Sequence, residues 1–276
     1  MNPSRSFPSR DRLSVLTAVI VLAYALTRFL DLPTRAIGGT VFGSALGFEL
    51  NGKFLMLLLV AALISAGSDT LIRSHPLFAG GAAGNTVIYW ILPGATALVL
   101  GAALNRAPDG PVWWLGLGVT AVALIVVLIA EYTVVDPQAP LREAAVLALT
   151  ALAYTLALVL FVLLRSLSAR AAISATIGGL VAAALAWRLF TLPGAPAGRA
   201  SLYAAMAGLI TAEAIWALNY WRVPSSSAAL LVMIPFYISV GLAQQHLAGR
   251  LTRRVWIEFA VVGGLGLAIA LVYTFA

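Results

Sequence analysis

The sequence predicts an all-α protein: a polytopic transmembrane helix bundle of about nine spans. Three observations carry this reading. Of 276 residues, 62% are hydrophobic and only 10% charged, against roughly 45–50% and about 25% in ordinary globular domains. Mean hydropathy is +0.99, more apolar surface than a water-soluble interior of this size can hide. The apolar residues also fall in continuous runs near the ~20 residues that a helix needs to cross the bilayer, not in the alternating pattern of a membrane β-barrel.

The first apolar run, 13–30, follows Arg5, Arg10, Asp11 and Arg12. It exceeds the ~7–15-residue core of a cleavable signal and lacks a clean small-x-small site after it, so it reads as an uncleaved span over 13–32. Further spans are predicted at 53–72, 85–104, 112–135, 142–165, 171–192, 201–221, 227–248 and 256–275. Turn chemistry separates them: Ala107-Pro108-Asp109-Gly110-Pro111, Asp136-Pro137, Leu192-Pro193-Gly194-Ala195-Pro196 and Val223-Pro224-Ser225. The whole chain is expected to form a single integral membrane domain, 1–276, with a basic tail over 1–12.

Residues 33–52 break the pattern. Pro33, Gly38, Gly39, Gly43, Gly47 and Asn51-Gly52 surround short apolar pieces, which argues against a full span and for a short extended hairpin or a re-entrant segment. Pro93 and Pro235 fall within or near the starts of apolar runs and could bend helices three and eight. Trp113, Trp114, Trp221, Trp256 and Tyr273 sit at predicted helix ends, where amphipathic rings prefer the headgroup level.

Loop charge sets the expected orientation. With an N-terminus inside, Arg5, Arg10, Arg12, Arg73, Arg142, Arg199, Arg250, Arg253 and Arg254 share one side, while Arg35, Lys53, Arg106, Arg165, Arg170 and Arg222 share the other. The two densest basic clusters thereby fall together. This predicts a cytoplasmic N-terminus and an external C-terminus, while the short loops and the arginine usage suggest a bacterial-type plasma or inner membrane. The net charge of +7 reads as topogenic, so the bilayer and other membrane subunits are the expected partners and nucleic acid is not.

Ionisable groups inside spans are the natural site candidates, because lipid makes them costly. Glu213, in the predicted seventh span, shares a helical face with Trp216 and Tyr220, close to Asn219. Arg188, on the preceding span, is its expected partner by chain order. A carboxylate so placed could bind a ligand or a proton, or clamp two helices. Glu131 has no evident local partner. Asp69 with Arg73, and Glu258 with Arg254, have the i, i+4 spacing of local ion pairs. His75 and His246 are the only histidines; two at similar depth could ligate haem or a metal, but no second pair exists and no cofactor or metal is expected. Asp69, His75, Glu131, Arg188, His246 and Glu258 gather toward the inner half in this topology and suggest a polar vestibule leading to Glu213.

The absence of cysteine excludes disulfides, thiolate metal sites and thiol catalysis. No P-loop or dinucleotide glycine motif occurs, nor the paired motifs of intramembrane proteases. No catalytic residue is assigned. The first expectation is a non-catalytic accessory, scaffold or sensor-like membrane module. The alternatives are a secondary transporter or flippase using Glu213 and Arg188, and a membrane enzyme acting on a lipid or isoprenoid at the inner face.

Overall fold

A computed structural model describes residues 10–29, 35–41, 44–50, 52–78, 86–166 and 170–275. Among the described residues, nine helices are long and apolar enough to cross a membrane. They are α1 (Arg10–Phe29), α2 (Gly52–Arg73), α3 (Ile91–Leu104, entered through a 3₁₀ turn at Val87–Trp90), α4 (Pro111–Val135), α5 (Arg142–Ser166), α6 (Ala171–Thr191), α7 (Ala197–Leu218), α8 (Ser225–Leu247) and α9 (Arg253–Phe275). The protein is an all-α membrane helix bundle. Its glycine-rich interruption is extended: β1 (Arg35–Val41) pairs antiparallel with β2 (Ser44–Leu50), with Arg35 opposite Leu50 and Val41 opposite Ser44.

Helix ends move from hydropathy boundaries to capping boundaries. α1 starts earlier than 13 because Arg10, Asp11 and Arg12 form its first turn, where an acid complements the helix dipole. α7 occupies 197–218, not 201–221. It starts directly after Pro196, and the Asn219 backbone N–H closes its end on the Ile215 and Trp216 carbonyls, leaving Trp221 outside. Pro93 lies in the first turn of α3, where backbone N–H groups have no intrahelical acceptor, so it costs no helical hydrogen bond. Pro235 is inside α8.

The chain divides into two compact units, residues 1–145 and 146–276. In the first, α1–α4 enclose a core that includes Ile20, Tyr24, Ile64, Leu124 and Leu128. Tyr24 is fully buried and its hydroxyl donates to the Ala97 carbonyl at 2.7 Å. Gly101 makes that approach possible: a Cβ there would fall 2.5 Å from Leu57 and 2.9 Å from the Tyr24 ring. An ion pair joins Arg28, in the last turn of α1, to Asp109 before α4.

In the second unit, α6 and α7 pack backbone to backbone. A Cβ on Gly208 would lie 2.6 Å from the Gly179 carbonyl oxygen, so only glycine permits the contact, as small residues do between membrane helices generally. α5 and α8 meet through rings: Phe161 to Phe236 at 5.8 Å and Tyr154 to Tyr237 at 5.8 Å between centroids. Tyr237 then reaches Phe259 of α9 at 5.6 Å. The buried Thr211 hydroxyl is satisfied within its own helix, donating to the Ala207 carbonyl at 2.7 Å, as Thr96 of the first unit donates to the Leu92 carbonyl at 2.7 Å.

Candidate functional site: the polar groups of the two units

In the first unit, Asp69 lies one turn before the end of α2 and collects three donors. Arg73 Nε donates to Oδ2 at 2.7 Å. The Thr86 hydroxyl and Trp90 Nε1 both donate to Oδ1, the latter at 3.1 Å. Arg73 Nη2 also donates to the Thr86 hydroxyl at 2.9 Å, closing the ring of contacts. The i, i+4 pair read from the sequence is therefore present, but it is half of a larger clasp that ties the 3₁₀ turn before α3 to the end of α2. Thr86 and Trp90 carry no local sequence signal for this role; their spacing from Asp69 matches no helical period.

His75 and Glu131 belong to the same unit and are both buried, at 1% and 0% exposure. The His75 ring packs 4.6 Å from Tyr132, the residue after Glu131. Its Nδ1 accepts from the Leu77 backbone N–H at 3.2 Å, which turns that nitrogen away from any ligand role. Glu131 has no local sequence partner within one turn of it. It is in fact engaged; a fully buried carboxylate could not be tolerated otherwise.

In the second unit, Arg188, His246 and Glu258 share one end. Arg188 is buried at 1% exposure and donates to the Thr191 hydroxyl at 3.4 Å. The exposed His246 ring lies 5.5 Å from Tyr203. Glu258 forms the expected pair with Arg254 at 2.9 Å, on an exposed surface. Among the described residues, no group of three or more His, Asp or Glu side chains could hold a metal ion.

Glu213 lies elsewhere. It is five residues from the end of α7, and the contacts of Gly178 with Ile215 and of Gly179 with Gly208 and Ala212 fix the antiparallel register with α6. Arg188 consequently stands level with residues near 202, some 16 Å along the axis from Glu213 at 1.5 Å per residue. The expected Glu213–Arg188 pair does not form, and the vestibule centred on Glu213 is not assembled in this unit, because Arg188, His246 and Glu258 occupy its opposite end. Chain order suggested the pair although the predicted spans already left Glu213 a turn or two deeper than Arg188; the earlier start of α7 widens that gap.

Glu213 is exposed, and among the described residues it makes no hydrogen bond or ion pair. Trp216 shares its face at 47% exposure, and Tyr220, in the turn beyond the end of α7, is 72% exposed. Leu209 and Met206, at 62% and 51%, continue the exposed surface along the helix. Asn219 turns the other way. Its Oδ1 accepts from Arg165 Nη1 at 3.1 Å, and its Nδ2 donates to the Ile215 carbonyl at 2.9 Å. The Arg165 partnership, between positions 54 apart in sequence, is invisible to local spacing.

A family model described as a protein of unknown function, DUF5656, matches residues 32–273. It runs from just before the hairpin to the last turns of α9. No curated protein and no solved structure matches the chain.

Proposed function

We propose that this chain, which belongs to the DUF5656 family, is a non-catalytic multi-pass membrane module that docks another membrane protein on the Glu213 face of α7. In this reading it is an accessory, scaffold or sensor-like subunit. The observation that carries it is Glu213 itself: a carboxylate on an exposed helical face with no partner among the described residues. It lies about 7–8 Å inside the end of α7 at 1.5 Å per residue, between exposed Leu209 and Trp216. Insertion scales put an ionisable residue at roughly 2.5–3.5 kcal/mol at the centre of a span. A neighbouring helix presenting a cation or an N–H donor at that depth removes much of the penalty. Trp216 and Tyr220 add rigid, amphipathic anchors of the kind that dominate binding energy at interfaces.

The host in this reading is a bacterial-type plasma membrane, with the N-terminus cytoplasmic and the C-terminus external. The grouping of Arg5, Arg10 and Arg12 with Arg250, Arg253 and Arg254 supports it. Since the chain has no cysteine, single substitutions report sidedness cleanly. Ser226→Cys is expected to react with an impermeant maleimide on intact cells, and Ala248→Cys only after lysis; the reverse pattern overturns the orientation.

The docking reading is tested by purifying the full chain from its native membranes in mild detergent beside a Glu213→Leu variant of equal thermal stability. A stoichiometric membrane subunit held by the native chain and lost from the variant is the expected result. Identical co-purification profiles, with or without a subunit, contradict the role given to Glu213.

A further inference from the structure

The inward side of the same helix carries a second feature, independent of the docking face. Arg165, in the last turn of α5, is held by two acceptors from the end of α7: Asn219 Oδ1 takes Nη1 at 3.1 Å, and the Trp221 carbonyl takes Nη2 at 2.9 Å. A guanidinium has five N–H donors, so this grip orients the fork and leaves donors over. Beside it lies a cavity of about 30 Å³. Its polar wall is Arg165, Ser174 and Asn219, and Phe161, Leu164 and Ile215 supply apolar wall. Among the described residues, no carboxylate lines it.

The surrounding backbone is also electropositive. Ser174 stands in the first turn of α6, and Ala228 and Ala229, which complete one wall, stand in the first turns of α8. The positive ends of both helix dipoles therefore face this end of the unit, while the Ser174 and Ala228 backbone N–H groups are themselves taken by the Arg170 and Pro224 carbonyls at 3.0 and 2.9 Å. Next to Ala228, the fully buried Ser227 hydroxyl has no hydrogen-bond partner among the described residues. The Ser174 hydroxyl donates to the Arg170 carbonyl at 3.3 Å and Asn219 Nδ2 to the Ile215 carbonyl at 2.9 Å, so the donors left for a ligand at this wall are those of Arg165.

We propose that this pocket is an oxyanion site, seating a phosphoryl or carboxylate group on Arg165. Size limits the occupant. A site needs about 10–15 Å³ per water-sized group, so the volume takes the projecting oxygens of one such group and not a whole sugar or nucleotide. The apolar wall accommodates the first carbons behind the anion, which suits the headgroup of an anionic amphiphile as well as a free oxyanion.

The test uses the full chain with two probes. Inorganic phosphate is titrated against thermal stability in an uncharged detergent, and native mass spectrometry counts lipids retained from nanodiscs of mixed phosphatidylglycerol and phosphatidylcholine. The expected result is a saturable stabilisation by phosphate, retention of one phosphatidylglycerol in preference to phosphatidylcholine, or both. Phosphate alone identifies a soluble source and phosphatidylglycerol alone a lipid one. Arg165→Gln is expected to weaken the response at least tenfold. Ala228→Val, which narrows the cavity and leaves the Arg165–Asn219 contact in place, is expected to weaken it as well. If neither probe binds, or if the response survives in whichever variants fold, the proposal is overturned.

Discussion

Two carboxylates in this chain have opposite fates. Asp69 is held by Arg73, Thr86 and Trp90, and its side chain is 19% exposed. Glu213 is exposed on a membrane-spanning helix and engages nothing among the described residues. Composition makes both expensive, since hydrocarbon solvates neither. The difference lies in what each has left to give. The acceptor capacity of Asp69 is spent on joining α2 to the entrance of α3, so it reads as structure. That of Glu213 is unspent among the described residues, which is what supports the docking role proposed for it.

Four variants sharpen or break this contrast. The largest loss of stability is expected from Asp69→Ala, which strands Arg73 and the Trp90 N–H together: about 2–4 kcal/mol by thermal unfolding in detergent. Thr86→Val removes only the bridging hydroxyl, and a loss of roughly 1–2 kcal/mol is expected from the same melt. Glu258→Gln breaks an ion pair whose members are 56% and 88% exposed; pairs this open contribute little, and its melting temperature should move by no more than a degree or two. Glu213→Gln is expected to leave the detergent melt unchanged. A Glu213→Gln variant that unfolds as readily as Asp69→Ala would erase the distinction between the two carboxylates.

The fold was largely legible in the sequence because membrane helices advertise themselves by length and hydropathy. All nine spans and the extended segment near 33–52 follow from those signals and from glycine and proline punctuation. Helix ends were less legible, because hydropathy marks where lipid contact stops and capping marks where hydrogen bonding stops. The four-residue shift at the start of α7 is a clear case, and it lengthens a depth mismatch between Arg188 and Glu213 that the predicted spans already contained. Local ion pairs at i, i+4 were readable because one helix supplies both partners. Contacts that need a second element were not: Trp90 on Asp69, Tyr132 on His75 and Arg165 on Asn219 depend on packing, which no spacing in one chain encodes.

The central claim is that the α7 face around Glu213 is covered by a partner protein in its native membrane and by lipid once purified. A spin label at Ala217→Cys, exposed one turn from Glu213 and the only cysteine in such a chain, measures this through its collision rate with oxygen. High oxygen accessibility in nanodiscs of the purified protein, falling severalfold in native membranes and restored there by Glu213→Leu, is the predicted result. Equal accessibility in both settings would contradict it.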